Sequence, residues 1–398
     1  MAELTIRTPG EDEGEAIFAS DARGFGFHIE MDDMRRRMPV MEWPRFRIAL
    51  DGKEIVGIVG SYTMDMTVPG GAAVPIGAVT WVSIAPTHRR RGILTRLIDL
   101  VHDDIADRGE PFAALSASEG GIYERFGYGI ASRVWGTRLD RNRATFRAAV
   151  DVSPGSVRFV DDTEAQPLIT EIFERYRSMR PGETSRSTNW WRSLEGSRRR
   201  PADGFTPVWY LVHPDGYAVY RIKGDWNGGH PRHELDVVEC VAVTAQAHAA
   251  LWHTLVNVDL VGRVTSRQLP IDDPLPMLLM DQRALITTGD NDGIWVRPGD
   301  IAACLQARRY GTDDSLVVEV EGVRYRIEGS PTDASCARVR SKPDLLASRA
   351  AVGALLLGGQ RATRLAAGGR LTLRTPSIAG RVDRFFLGDV EPHCQTHF

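Results

Sequence analysis

Short apolar runs at Phe46 to Leu50 and Glu54 to Met64 read as two strands, and Asp51-Gly52 between them predicts a tight hairpin turn. Pro69-Gly70-Gly71 marks the next turn, and Pro75 to Ile84 forms a third apolar run. After Pro86 the period lengthens. Ile93, Leu94, Leu97, Ile98, Val101 and Ile105 recur at helical spacing, which predicts an amphipathic helix ending near Gly109. Phe112 to Ser116 reads as a short strand, followed by turns at Gly120-Gly121 and Phe126-Gly127-Tyr128-Gly129. This order is that of a mixed α/β (α+β) fold.

The pattern breaks at Arg141 to Pro154, where charge and a Ser-Pro-Gly turn replace the strand signal. A second α/β unit is expected from Val157 to about Leu285. Its strands include Val208 to Val212 and Tyr217 to Ile222, and the alanine-rich stretch Val243 to Val256 reads as a helix. Another break is expected at Thr288 to Gly293. Beyond it come a strand pair, Ser315 to Val320 and Val323 to Ile327, and a helix from Lys342 to Leu357. With 398 residues the chain is long enough for two or three cores, and these breaks give domains at 1–145, 146–288 and 289–398.

Composition narrows the function. A formal net charge of −3 argues against a general nucleic-acid binder, and no stretch approaches the roughly 18 apolar residues of a membrane span. The N-terminus turns acidic within ten residues without the basic and apolar parts of a signal peptide, so a cytoplasmic location is expected. Four cysteines lie far apart and predict reduced thiols. His393, Cys394 and His397, like His230 and His233, lack the spacing of a structural zinc site, so no metal is expected. Asp290-Asn291-Asp292-Gly293 has Ile301 where a calcium loop needs its last carboxylate, and is expected to be a turn. The runs Arg35 to Arg37 and Arg198 to Arg200 are expected on solvated faces.

The chemistry concentrates in Val79 to Ala131. There a strand runs into a basic, glycine-containing loop, Arg89-Arg90-Arg91-Gly92, that opens directly into the predicted helix. A helix N-terminus offers unsatisfied amide hydrogens and partial positive charge, and glycine lets backbone approach an anion closely. A diphosphate-bearing cofactor suits such a loop. Arg89-x-x-Gly92 resembles the pyrophosphate loop of the GNAT acetyltransferases, with Leu94 where that family usually has Gly or Ala. SIAPTHRRRGILTRL, SASEGGIYERFGYG and a terminal aromatic residue are together similar to the Eis-type (enhanced intracellular survival) branch. ALLLGGQRA, from Ala354 to Ala362, resembles the helix end of a sterol-carrier-like domain.

The resemblance implies a GNAT domain, a divergent GNAT-like domain and a sterol-carrier-protein-like domain, with acetyl-CoA as cosubstrate. It places cofactor contacts at Val82, Ser83 and Ile84 on the strand, at Arg89, Arg90, Arg91, Gly92, Ile93, Leu94 and Thr95 in the loop and helix start, and at Ser118 and Glu119. Tyr123 matches the general acid, since a phenol with pKa near 10 is protonated at neutral pH. The free carboxylate of Phe398 matches the general base, and burial would raise its ordinary pKa of about 3.5 to a more useful value. Phe25 and Trp81 are candidates for an apolar acceptor wall, and Glu30, Asp32 and Asp33 for cation contacts. His397 stands where relatives can carry an acid. The implied acceptor is an amine-bearing small molecule, foremost an aminoglycoside acetylated at several sites. A protein or peptide lysine is the alternative, and a non-catalytic apolar-ligand binder is a second one. A homo-oligomer, a hexamer, is implied on the same basis.

Overall fold

The protein is described by a computed structural model, which covers residues 4–28 and 30–398. The chain opens with β1 (Thr5–Arg7), then α1 (Gly14–Phe25) and α2 (Met31–Arg37). Next come β2 (Arg47–Asp51), β3 (Glu54–Thr67), β4 (Ala73–Ile84), α3 (Ile93–Asp107), β5 (Phe112–Ser116) and β6 (Gly129–Ile130). The predicted hairpin is β2–β3. The predicted amphipathic helix is α3, which buries Ile93, Leu97, Ile98, Val101 and Ile105 against the sheet.

A second sheet follows. Its elements are β7 (Arg133–Asp140), β8 (Arg158–Val160), α4 (Asp162–Arg177), α5 (Thr188–Arg198), β9 (Trp209–His213) and β10 (Gly216–Lys223). A small ribbon, β11 (Trp226–Asn227) with β12 (His230–Pro231), leads to β13 (His233–Ala242), α6 (Ala245–Val256), β14 (Val261–Pro270), α7 (Leu275–Leu278) and β15 (Leu285–Asp292). The strand order is β15-β7-β14-β13-β10-β9-β8. The chain then returns: β16 (Ile294–Pro298) inserts between β5 and β6, giving the first sheet the order β1-β2-β3-β4-β5-β16-β6.

Several local expectations are corrected here. Asp290, Asn291 and Asp292 form strand rather than turn, pairing with Trp135, Val134 and Arg133 of β7. The ladder satisfies their backbone, and the Arg133 guanidinium bonds the Asp290 carboxylate at 2.9 Å. Two strands also cross the expected domain limits, because β7 joins the second sheet and β16 the first. Arg198 is not solvated: it is 7% exposed and donates to Glu239.

The last unit comprises α8 (Ile301–Ala307), β17 (Asp314–Val320), β18 (Val323–Gly329), β19 (Ala334–Arg338), β20 (Leu345–Ala347), α9 (Arg349–Leu356), α10 (Ala362–Ala367), β21 (Leu371–Leu373) and α11 (Ala379–Phe386). The helix predicted from Lys342 begins only at Arg349. Leu345–Ala347 pairs in parallel with β17, and the Ser348 hydroxyl caps α9 by accepting the Ala351 N–H.

What positions the site is the relation of β4 to β5. They pair in parallel over Ile76↔Phe112, Gly77↔Ala113 and Ala78↔Ala114. Beyond that point β4 follows β3 as far as Ile84, whereas β5 follows β16, so the sheet opens into a wedge. At the closed end lies a buried ion pair. Arg45 donates to both oxygens of Glu110 at 2.7 and 2.6 Å, and also to Ser61 and Thr63 of β3. A Cβ on Gly77 would come within 3.1 Å of the Glu110 carboxylate, which fixes the pair beside the last paired residues.

Removing one member of a buried, hydrogen-bonded pair strands the other charge. Glu110→Gln is expected to lower stability by roughly 3–5 kcal/mol in chemical denaturation, and a loss below about 1 kcal/mol would refute this role.

Candidate active site

The open end of the wedge forms a cavity of about 800 Å³ lined by the end of β4, the basic loop and the turn after β5. On the β4 side, Thr80 pairs with Gly60 and Ser83 with Ile58, so Trp81 and Val82 together face Val59. This is a β-bulge, and it holds Trp81 at a φ of 55°. The indole is fixed from two directions. Its edge-to-face partner is Phe18 on α1, with ring centroids 4.8 Å apart, and its Nε1–H donates to the Tyr62 hydroxyl at 2.7 Å. The bulge takes Trp81 and Val82 out of the regular ladder, and Val82, Ser83 and Ile84, on the part of β4 that β5 no longer pairs, border the cavity. From the other side α1 comes very close, since a Cβ on Gly24 would lie 1.9 Å from the Ser83 hydroxyl.

The loop has the conformation of an anion nest. Arg90 and Gly92 lie at φ values of 65° and 75°, flanking Arg91. Gly92 takes the N-cap position of α3 and has no side chain to occupy the first amides, which stay open to an anion. The base of the loop is stapled by His88, whose two ring nitrogens bond Asp51 at 3.0 Å and Thr87 at 2.8 Å. Arg89 and Glu119 face each other across the cleft at 3.7 Å. Loop, helix N-terminus and cavity together fit a diphosphate attached to an extended arm. Arg90 and Gly92 at the nest would hold the phosphates, and Val82 to Ile84 the arm.

Tyr123 forms part of the cavity wall and is 3% exposed. Its ring packs edge-on to Tyr128 and against Trp295 of β16, at centroid distances of 6.0 and 6.5 Å. Burial, reinforced by the Glu119 charge and opposed by Ser118, pushes the phenol up to about 12. Tyr128 is committed elsewhere, with its hydroxyl 2.9 Å from Nε2 of the buried His102.

Known proteins agree with this arrangement. Residues 5–131 match an acetyltransferase (GNAT) domain model, residues 182–297 a second such model, and residues 301–395 a sterol carrier protein domain model. The N-acetyltransferase Eis of Mycobacterium tuberculosis is 35% identical over 409 residues, covering 99% of each chain. The chain belongs to the Eis family of N-acetyltransferases. Eis1 of Mycobacterium abscessus has a crystal structure that superposes with a TM-score of 0.88 at 34% identity, each chain being covered to 100%. An uncharacterized N-acetyltransferase of Streptomyces avermitilis is 32% identical over 97% of this chain and 98% of its own. The protein is thus an acetyl-CoA-dependent acetyltransferase with two GNAT domains and a sterol-carrier-like domain.

Most residues expected at an Eis-type cofactor site line this one cavity: Val82, Ser83, Ile84, Arg89, Arg90, Gly92, Ile93, Leu94, Thr95, Ser118, Glu119 and Tyr123, with Phe25 at its mouth. Arg91, Trp81 and Phe398 are not part of the lining. Asp32 and Asp33 are engaged by arginines, Asp32 by Arg200 at 2.8 Å and Asp33 by Arg36 and Arg200, so they tie α2 to the end of α5. Glu30 is exposed and its carbonyl starts α2 by accepting from Asp33 and Met34. Phe398 is half-buried against the first core, and Pro392, His393, Cys394 and Thr396 before it are buried. His88 and Trp295 were not foreseen. A histidine directly before an arginine run was a usable signal for the first, whereas nothing local marks the second.

Asp21 was also missed. It lies on α1 between Phe18 and Gly24, is 8% exposed, and its Oδ1 meets no hydrogen-bond partner among the described residues. Burial pushes its carboxyl up to about 7, against the pull of Arg37.

Two outcomes are expected. A β-branched residue at the φ of Gly92 is strained by about 1–3 kcal/mol, so Gly92→Val should weaken acetyl-CoA binding by roughly tenfold or more in calorimetry. Unchanged affinity would count against the nest. Asp21 has a folded pKa above its unfolded value of 3.8, so the stability it contributes is complete at acid pH and is lost as pH rises through about 7. Asp21→Asn should therefore melt higher than the parent protein at about pH 8 and match it at about pH 4. Equal melting at both pH values would contradict the inferred cost of this charge.

Proposed function

We propose that this Eis-type enzyme acetylates primary amines of aminoglycoside antibiotics, at several positions, by direct transfer with Tyr123 as general acid and the terminal carboxylate of Phe398 as general base. The observation that carries the reading is Tyr123 itself, a buried phenol walling the cavity while the neighbouring Tyr128 hydroxyl is held by His102. Bound acetyl-CoA supplies an acetyl group activated as a thioester. Backbone donors at the bulged end of β4 polarise a carbonyl there, acting as preorganised dipoles in a site shielded from water. The Tyr123 hydroxyl donates its proton to the departing thiolate. Burial that raises the phenol also raises the basicity of a thiolate beside it, so the pair stays matched. The Phe398 carboxylate takes a proton from the neutral amine as it attacks the thioester carbonyl. Its ring, packed on the first core, gives the terminus an apolar anchor.

At the cavity mouth, the exposed Phe25 ring and the exposed Glu119 carboxylate offer an apolar face and an anion, which suits a sugar ring bearing ammonium groups. A protein or peptide lysine presents the same primary amine and is the second reading. The cytoplasm supplies acetyl-CoA and fits either acceptor. Assembly into a hexamer is part of the same proposal, and the exposed Phe159 and Trp209 on adjacent strands β8 and β9 of the central sheet offer an apolar patch for contact between copies.

The deciding assay is thiol release from acetyl-CoA with kanamycin, neomycin and a lysine peptide as separate acceptors. Release with the antibiotics at more than one acetyl per molecule is expected, and release with the peptide alone would move the function to protein acetylation. Tyr123→Phe should lower kcat by about 100-fold or more while leaving the KM for acetyl-CoA nearly unchanged, as loss of a general acid does. Because the phenol stays protonated to about 12, the parent enzyme should show no loss of rate from Tyr123 ionisation below about pH 10. Residues appended after Phe398 should be as damaging as the tyrosine change. Full activity in that extended protein would exclude the terminal carboxylate as base.

A further inference from the structure

The central sheet repeats the plan of the first but not its anion loop. β13 and β14 run parallel from His233↔Val261 to Val237↔Ser266, with α6 crossing between them as α3 crosses between β4 and β5. Val243 and Thr244 alone separate β13 from α6, and the Thr244 hydroxyl already accepts the Ala247 N–H at 3.2 Å. An occupied cap without glycine or arginine offers nothing to a diphosphate. The central domain therefore has a different task, and the hydrogen bonds around its segment 181–187 indicate which.

That segment lies between α4 and α5 and extends the edge of β3. The Thr67 N–H donates to the Glu183 carbonyl at 2.9 Å, and the Ser185 N–H to the Asp65 carbonyl at 2.8 Å. On its other side it grips the end of the chain. The His393 N–H donates to the Pro181 carbonyl at 2.8 Å. The Glu183 side chain, 0% exposed, accepts the Gln395 N–H at 2.7 Å, the Thr396 N–H at 3.2 Å and the Thr396 hydroxyl at 2.9 Å. The Cys394 thiol points at the same carboxylate from 3.4 Å. Arg186 closes the arrangement, donating to the Thr396 oxygen at 2.9 Å while its other end bonds Glu239, which Arg198 also holds.

Two carboxylates and two guanidiniums are thus buried around one tail residue. Once Thr396 is pinned, the two residues beyond it let the terminal carboxylate range over no more than about 7 Å. The Phe398 ring on the first core restricts it further.

We propose that Glu183 is the positioning residue for the C-terminal carboxylate, and that the central domain acts as the clamp seating the tail of the third domain in the active site of the first. The proposal rests on the reading of Phe398 as the base, and its test separates the two. Glu183→Gln keeps the shape but turns one acceptor into a donor facing a tail N–H, and Thr396→Val removes the hydroxyl from the tail side.

The test uses the full-length Glu183→Gln and Thr396→Val proteins in two assays. One is release of Phe398 by a carboxypeptidase that prefers aromatic termini. The other is steady-state acetylation, with kcat and the KM for acetyl-CoA resolved. A hydrogen bond to a buried charge is strong enough that its loss should speed release of Phe398 by about tenfold or more. A matching fall in kcat with unchanged KM for acetyl-CoA is the expected companion. Release at the parent rate in both variants would overturn the clamp. Faster release with unchanged kcat would leave the clamp standing and overturn the terminal carboxylate as base. Should Glu183→Gln fail to fold, Thr396→Val carries the same comparison.

Discussion

The active site exists because two central strands stop pairing. β4 and β5 share three residue pairs and then part, each held by its own outer neighbour. A sheet that parts in this way exposes unpaired backbone, which is costly in an apolar interior unless something satisfies it. Here the parting forms the wall of a cavity, where a bound ligand would supply the missing partners. The buried Arg45–Glu110 pair keeps the paired end closed, and the bulge at Trp81 turns the open end toward the ligand. The nest, the candidate acid and the cavity all follow from that geometry.

The rest of the chain completes the first domain. β16 comes from beyond the second sheet, yet it is the neighbour that draws β5 away from β4, and its Trp295 packs against Tyr123. The tail belongs to the third unit, is held by the second and ends against the core of the first. Moving β16 would move Tyr123, and moving segment 181–187 would move the tail, so changes far from the cavity reach the groups these segments support.

Burial sets the electrostatics of this assembly. Tyr123 is raised because it is desolvated and faces Glu119. His102 is pushed down to about 3 by burial, so its ring is neutral beside the Tyr128 hydroxyl. The histidine is thereby a fixed hydrogen-bond partner instead of a competing acid, and the two tyrosines of one turn are given different tasks. Asp21 is the exception. Its charge is buried without the pairing that compensates Glu110 or Glu239.

Local order was legible in the sequence because local rules set it. The hairpin β2–β3, the amphipathic face of α3 and the loop from Arg89 to Gly92 each follow from residues within a few positions of one another. So does the grouping of cofactor residues, since Val82 to Thr95 is one strand-loop-helix unit and Ser118 to Tyr123 follows the next strand. Partnership between distant segments had no local mark. Asp290 to Asp292 carries turn chemistry yet becomes strand because β7 offers it a ladder, and Arg198 sits in a basic run yet is buried because Glu239 awaits it. Asp32 and Asp33 looked available to a cation until arginines of their own helix and of the α5 end took them. The sequence determined most of the elements and which loop presents open amides at a helix start, because backbone preference and side-chain period act over a few residues. Tertiary structure alone decided which charges are spent on each other, which strand supports Tyr123 and where the chain end lies, because those depend on contacts between segments from 41 to 212 residues apart.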